Sequence, residues 1–351
     1  MKRSGASNLD SRLRGNDKRM LVHLAAGFTM VELLVALMVM ILLLGITAVI
    51  YKSASDAMTQ TNASIELYQK AEIMRKRITE DIKTMVKDNG VLIVWANQIS
   101  SAEEELPEGT KINNLTNIRF DSICWFSVGN FKSFSPELTG LQSNAALIFY
   151  GPGLNSSGTR IGGTAPNKWV LTRFPGLLID DAAATNLANN PDPDLRWPTG
   201  WRTDWKTDLI VNSYDANKTL TLGSGLKQIN INQDDATPIL PGTTIQNWMS
   251  NWNRLVADDD QTIYRYFLEN CGRFEIRQIP PGGGASTPFP PGSFYYFTSN
   301  NLAAWPKALE FTIRLYDRDL MIKSPDPDQT DPVNQREHGG LTFKFVVPIP
   351  D

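Results

Sequence analysis

Gly27-Phe28-Thr29-Met30-Val31-Glu32-Leu33-Leu34-Val35-Ala36-Leu37 is the stretch on which the reading of this chain turns. It opens an uncharged, almost wholly apolar run over residues 33–51. Wound as a helix, a run of that length matches the ~30 Å of hydrocarbon in a bilayer. Glu32 stands one position before it. A carboxylate in hydrocarbon costs at least ~2.5 kcal/mol, so an acid at the mouth of a span signals a partner and a function, unless it sits at the interface where the cost is small.

Outward on the N-terminal side, Lys2, Arg3, Arg12, Arg14, Lys18 and Arg19 crowd the first twenty residues, diluted only by Asp10 and Asp17. The positive-inside rule leaves this end in the cytoplasm and the rest of the chain beyond the membrane. An ordinary secretory signal has a shorter apolar core followed by a small-residue cleavage site. Here the run continues into a helical pattern instead.

On the C-terminal side, Leu67, Ala71, Met74, Ile78, Ile82 and Met85 recur at intervals of three and four, the apolar face of an amphipathic helix. Glu72, Arg75, Lys76, Arg77, Glu80 and Lys83 take the other faces, and Lys87-Asp88-Asn89-Gly90 supplies a stop. The pattern predicts one helix over residues 28–86, about 90 Å long at 1.5 Å per residue. Residues 28–51 form its membrane part, and residues 52–90 its amphipathic continuation. Gly45 is either a tolerated membrane glycine or a local soft point.

From residue 91 the period changes. Residues 145–150 read as a buried strand and 168–174 as a half-exposed one. Strands are also expected at 263–268, 273–279, 294–298, 308–315 and 341–347, with Gly/Pro-rich loops between them. Residues 175–260 carry Trp197, Trp201, Trp205, Trp248 and Trp252 among many Asn, Asp and Pro residues. They read as a loop-rich elaboration, with the aromatics anchoring loops or marking a binding surface. One long helix followed by antiparallel strands is an α+β architecture, with residues 91–351 as the body.

Composition excludes several functions. A net charge of −3 over 351 residues offers no basic face for nucleic acid. The two histidines are His23 and His338, which leaves little for His-based catalysis or zinc. No Walker loop, HExxH motif or nucleophile elbow is present, so no catalytic residue and no cofactor are expected. The acidic groups at Asp192 and Asp194, at Asp258-Asp259-Asp260, and at Asp326, Asp328 and Asp331 lack an EF-hand loop and read as solvated loops, not a metal site. Cys124 and Cys271 form either a disulfide or two buried thiols in separate strands.

The order Gly27, Phe28, Thr29, Glu32 and then the apolar run resembles the class III leader of type IV pilins and type II secretion pseudopilins. That resemblance implies a leader over residues 1–27, cleavage between Gly27 and Phe28 by a prepilin peptidase, and N-methylation of Phe28. It also implies that Glu32 pairs with the Phe28 amine of a neighbour during filament assembly. The leader is longer than most in the family, and Met20 is an alternative start. Leu268-Glu269-Asn270-Cys271-Gly272-Arg273-Phe274-Glu275-Ile276, followed by Trp305-Pro306-Lys307-Ala308-Leu309-Glu310-Phe311-Thr312-Ile313, looks like the minor pseudopilin J family and PilW-like minor pilins. The stretch 74–81 is similar too. The body is longer than is usual for J, and the acid at Glu32 departs from the K pseudopilins. The resemblance implies a pilin-like fold and a structural, non-enzymatic subunit near the tip of a periplasmic pseudopilus. Its partners would be I- and K-like subunits, the peptidase and an inner-membrane assembly platform. It implies a single-pass inner-membrane protein with a periplasmic body. The alternative is a minor pilin of a type IV pilus, acting in assembly, adhesion or DNA uptake.

Overall fold

A computed structural model describes residues 29–87, 91–99, 102–105, 111–115, 118–132, 142–155, 159–180, 209–214, 219–222, 229–230, 266–298, 304–317, 322–324 and 338–350. The chain divides into two compact units, residues 1–59 and 60–351. A single helix, α1 (Met30–Lys83), runs through the boundary for 54 residues. It begins two residues later than the periodicity predicts and ends three earlier. Beyond Lys83 the backbone is taken up by a strand: Val86 N–H bonds to Phe126 O, and Val128 N–H bonds to Thr84 O. Long-range pairing thus overrides the helical spacing of Met85.

The body is built from β1 (Val91–Trp95), β2 (Gln98–Ile99), β3 (Ala102–Glu105), β4 (Lys111–Leu115), β5 (Ile118–Arg119), β6 (Ser122–Lys132), β7 (Gln142–Pro152) and β8 (Val170–Asp180). Then come β9 (Leu209–Tyr214), β10 (Thr219–Leu222), β11 (Ile229–Asn230), β12 (Tyr266–Glu269), β13 (Cys271–Ile279) and β14 (Thr287–Pro288). The last are β15 (Phe294–Thr298), β16 (Ala308–Leu315), β17 (Lys323–Ser324), β18 (His338–Gly339) and β19 (Leu341–Pro348).

A large sheet has the order β11-β10-β9-β8-β7-β6-β1-β15, with β12 also laid against β8. A four-stranded sheet has the order β14-β13-β16-β19. Among the described residues the strands pair antiparallel except β8 with β9, and an isolated parallel bridge joins Phe120 to Phe274. The fold is therefore α+β. β8 is shared along one edge: β12 pairs with Val170–Thr172 and β9 with Leu177–Asp180. The expectation of a half-exposed strand at 168–174 is corrected here. Every residue from Trp169 to Leu177 is buried, because polar members of the strand find partners inside. Thr172 donates to Gly151 O, and Arg173 meets a carboxylate of α1.

One core joins the two sheets and the second half of α1. Leu67, Ala71, Met74, Ile78 and Ile82 pack with Leu92, Val94, Trp125, Ile148 and Tyr150 of the large sheet and with Phe274, Phe311 and Ile313 of the smaller one. The face predicted from spacing is the face that is buried.

Candidate functional site

The N-terminal turn of α1 is closed by its own side chains. Glu32 Oε2 accepts hydrogen bonds from the Thr29 N–H at 2.9 Å and from the Thr29 hydroxyl at 2.9 Å. The Glu32 N–H donates back to Thr29 Oγ1 at 3.3 Å. This is a capping box, Thr at the N-cap and Glu three residues on, which satisfies donors that the first helical turn leaves orphaned. Glu32 is exposed.

Beyond it the large apolar side chains from Met30 to Tyr51 are 49–82% exposed. Among the described residues none buries them. Such a stretch in water would forfeit ~1.5–3 kcal/mol per large apolar side chain left unburied. Length and composition make α1 a candidate membrane span, consistent with single-pass anchoring. Gly45 has nothing within 4 Å of the position a Cβ would take, so an alanine fits there sterically.

The other end of the helix holds a buried polar clamp. Arg173 donates from Nε to Asp81 Oδ2 at 2.7 Å and from Nη2 to Asp81 Oδ1 at 2.9 Å. The Tyr150 hydroxyl donates to Asp81 Oδ2 at 2.5 Å. The indole N–H of Trp125 reaches Ser127 Oγ at 3.0 Å and the Asp81 carbonyl at 3.3 Å, and the Trp125 ring stacks on Tyr150. Burial alone would depress Arg173, but Asp81 beside it reverses the direction and holds the guanidinium charged. Burial, reinforced by the Asp81 charge, pushes the Tyr150 phenol up, so it stays a donor. A charge pair out of water stands when both partners have their hydrogen bonds filled, and here they are shared between helix and sheet.

Two further ionic groups lie within the body. Arg119 makes a bidentate contact with Asp121, at 3.0 and 2.6 Å, and donates to Phe289 O at 2.8 Å. The Asp121 carboxylate also takes the N–H groups of Asn97 and Ile276. Glu275 lies between Arg273 and Arg277 on β13. Burial would raise its carboxyl, but the two guanidinium groups hold it below the usual range.

Of the residues singled out from the sequence, the structure places Glu32 at the first turn of α1, bonded to Thr29. Gly27 and Phe28 lie outside the described residues. So do the five tryptophans of the 175–260 segment and the three acidic groups. Cys124 on β6 and Cys271 on β13 are two free buried thiols, and burial pushes both up. Among the described residues, no group of three or more His, Cys, Asp or Glu is placed to hold a metal ion. The Asp81 clamp was missed as a site. Its signal was an acid three residues after Ile78, on the apolar face of the helix. Comparison of the chain with family models, with characterised proteins and with solved structures finds no match.

Proposed function

We propose that the chain is a structural subunit of a pilin-class filament, a J-like minor pseudopilin at or near the tip of a type II secretion pseudopilus. The observation that carries this reading is one continuous helix with two surfaces. Its first part is apolar, exposed and headed by Glu32, and its later part is packed and clamped on a β-rich body. A plain membrane anchor accounts for the first surface and for an acid that caps its opening turn; this reading gives the same carboxylate a second use, pairing with the Phe28 amine of a neighbour. In this reading the leader is removed between Gly27 and Phe28, and Phe28 is N-methylated. The body stands in the periplasm, and subunits associate through their helices. The partners are I- and K-like subunits, the peptidase and the assembly platform. The chain does no chemistry of its own.

The deciding experiment is a protein profile of culture medium from a deletion strain beside its parent and a complemented strain. Specific exoproteins should vanish from the medium and accumulate in the periplasm. Unchanged secretion with loss of surface fibres would replace this reading with that of a type IV minor pilin. Neither change would remove both.

A further inference from the structure

Arg119, Arg173 and Arg273 are each buried beside a carboxylate, that of Asp121, Asp81 and Glu275 respectively. Arg160 is not. Its guanidinium carbon lies 4.7 Å from the centre of the Trp169 ring. Its Nε–H is shut off from water and has no hydrogen-bond partner among the described residues. Burial pushes the guanidinium down to about 10, and no charged group among the described residues pulls it back up. The indole face repays part of the lost hydration. A cation drawn out of water still calls for an anion that fills its donors. A buried donor with no acceptor in its own chain is the kind of group that a bound ion explains.

The two side chains are held in place from both sides. Leu154 and Arg160 form an antiparallel bridge. Ile161 N–H donates to Gly153 O at 3.0 Å, and Gly163 N–H donates to Arg160 O at 3.1 Å. Trp169 is fully buried. Its indole N–H donates to Gly163 O at 3.0 Å, and its ring packs edge-on with Phe120. Gly162 closes the loop at φ +85°, where a Cβ would lie 2.5 Å from Lys168 O. Arg160 as a whole is only partly buried, so solvent reaches one side of it. A fork fixed in this way loses little further freedom when something binds.

We infer that Arg160, backed by Trp169, is a binding site for a carboxylate group brought by a ligand from outside this chain. Shape and charge both point to that class. A guanidinium is planar and offers paired N–H donors, which a carboxylate accepts two at a time. One carboxylate also balances one guanidinium. A phosphate monoester carries roughly −1.5 to −2 and would leave charge uncompensated in a half-sealed place.

The test uses the full chain in detergent micelles, with isotope-labelled arginine, at neutral pH. The Arg160 Nε–H signal is identified by its loss in Arg160→Gln. Sodium acetate, exchanged for sodium chloride at constant ionic strength, should move that signal saturably. The Arg119 and Arg173 signals, whose acceptors are supplied by the chain, should stay where they are. Acetate should also raise the melting temperature of the parent to a plateau. Arg160→Lys keeps the charge without the fork and should need about tenfold more acetate for the same rise. Arg160→Gln should not respond. The peptide acetyl-Gly-Glu-Gly-amide separates the sources of the group. Half-effect at a lower concentration than acetate supports the site with a protein side chain as its ligand, and half-effect at an equal or higher one supports it with a small free acid. A signal that stays still, or that drifts without saturating, overturns the proposal, and the parent alone gives this reading even if a variant folds badly. An equal acetate response in Arg160→Gln overturns it as well. Inorganic phosphate acting at a lower concentration than acetate overturns the choice of a carboxylate. None of these outcomes depends on whether the chain belongs to a filament.

Discussion

Removing the carboxylate of Asp81 strands the Arg173 guanidinium and the Tyr150 hydroxyl in a place that water does not reach. Asp81→Ala should therefore destabilise the body by about 3–5 kcal/mol, the usual cost of breaking a buried pair from one side. The double change Asp81→Ala with Arg173→Met should recover part of that loss, because no charge is then left unpartnered. Denaturant unfolding of the three proteins measures both. Asp121 carries a pH signature. Burial pushes its carboxyl up to about 6, while Arg119 and the N–H groups of Ile276 and Asn97 pull the other way. Its folded value lies above an unfolded value near ~3.9. Its contribution is fully present below about pH 4 and is lost as pH rises through 6, so unfolding free energy should fall with pH in that window. Asp121→Asn should flatten that fall, read from urea unfolding at pH 4, 5, 6 and 7.

At the scale of elements, α1 draws its hold on the body from one face. Ile78 is fully buried at the centre of that face, and Ile78→Ala should cost about 2–5 kcal/mol. Ile73, on the same helix but exposed, should tolerate alanine within about 0.5 kcal/mol. Thermal unfolding followed by tryptophan fluorescence separates the two. This face was legible in the sequence because the spacing of Leu67, Ala71, Met74, Ile78 and Ile82 is itself the geometry of burial. The strands 294–298 and 308–315 were legible for a related reason: Gly292 and Pro306 punctuate their starts. β1 and β6 were not expected. Both are buried along most of their length, and a strand buried on both faces shows no alternation to read. The clamp was out of reach altogether, since Asp81 lies 69 residues from Tyr150 and 92 from Arg173. Sequence spacing reports neighbours along one element and is silent on partners brought together by topology. The same limit governs the site. Glu32 stood out because an acid before an apolar run is conspicuous, whereas its bond to Thr29 becomes visible only once the turn is wound.

For the whole molecule, the apolar surface of residues 30–51 and the clamped body have separate duties, and a variant can lose one and keep the other. Glu32→Ala leaves the body untouched. It should be processed normally yet incorporate poorly into filaments, measured by immunoblotting sheared filaments against total membranes. Equal incorporation of variant and parent would remove the assembly role given to that carboxylate. Ile78→Ala should behave in the opposite manner, with a weakened body and an intact membrane surface. Its membrane fraction should be cleaved by protease in the body at concentrations that spare the parent.

The closed first turn of α1 has a consequence for timing. Both Thr29 donors fall on Oε2 of Glu32, and a carboxylate has about four acceptor positions, so Oε1 can receive an arriving cation while the cap stays shut. In the proposed filament the acid is thus aimed before its partner comes, and docking requires no unwinding of the first turn. The helix tip is set in advance, and assembly meets it ready-made.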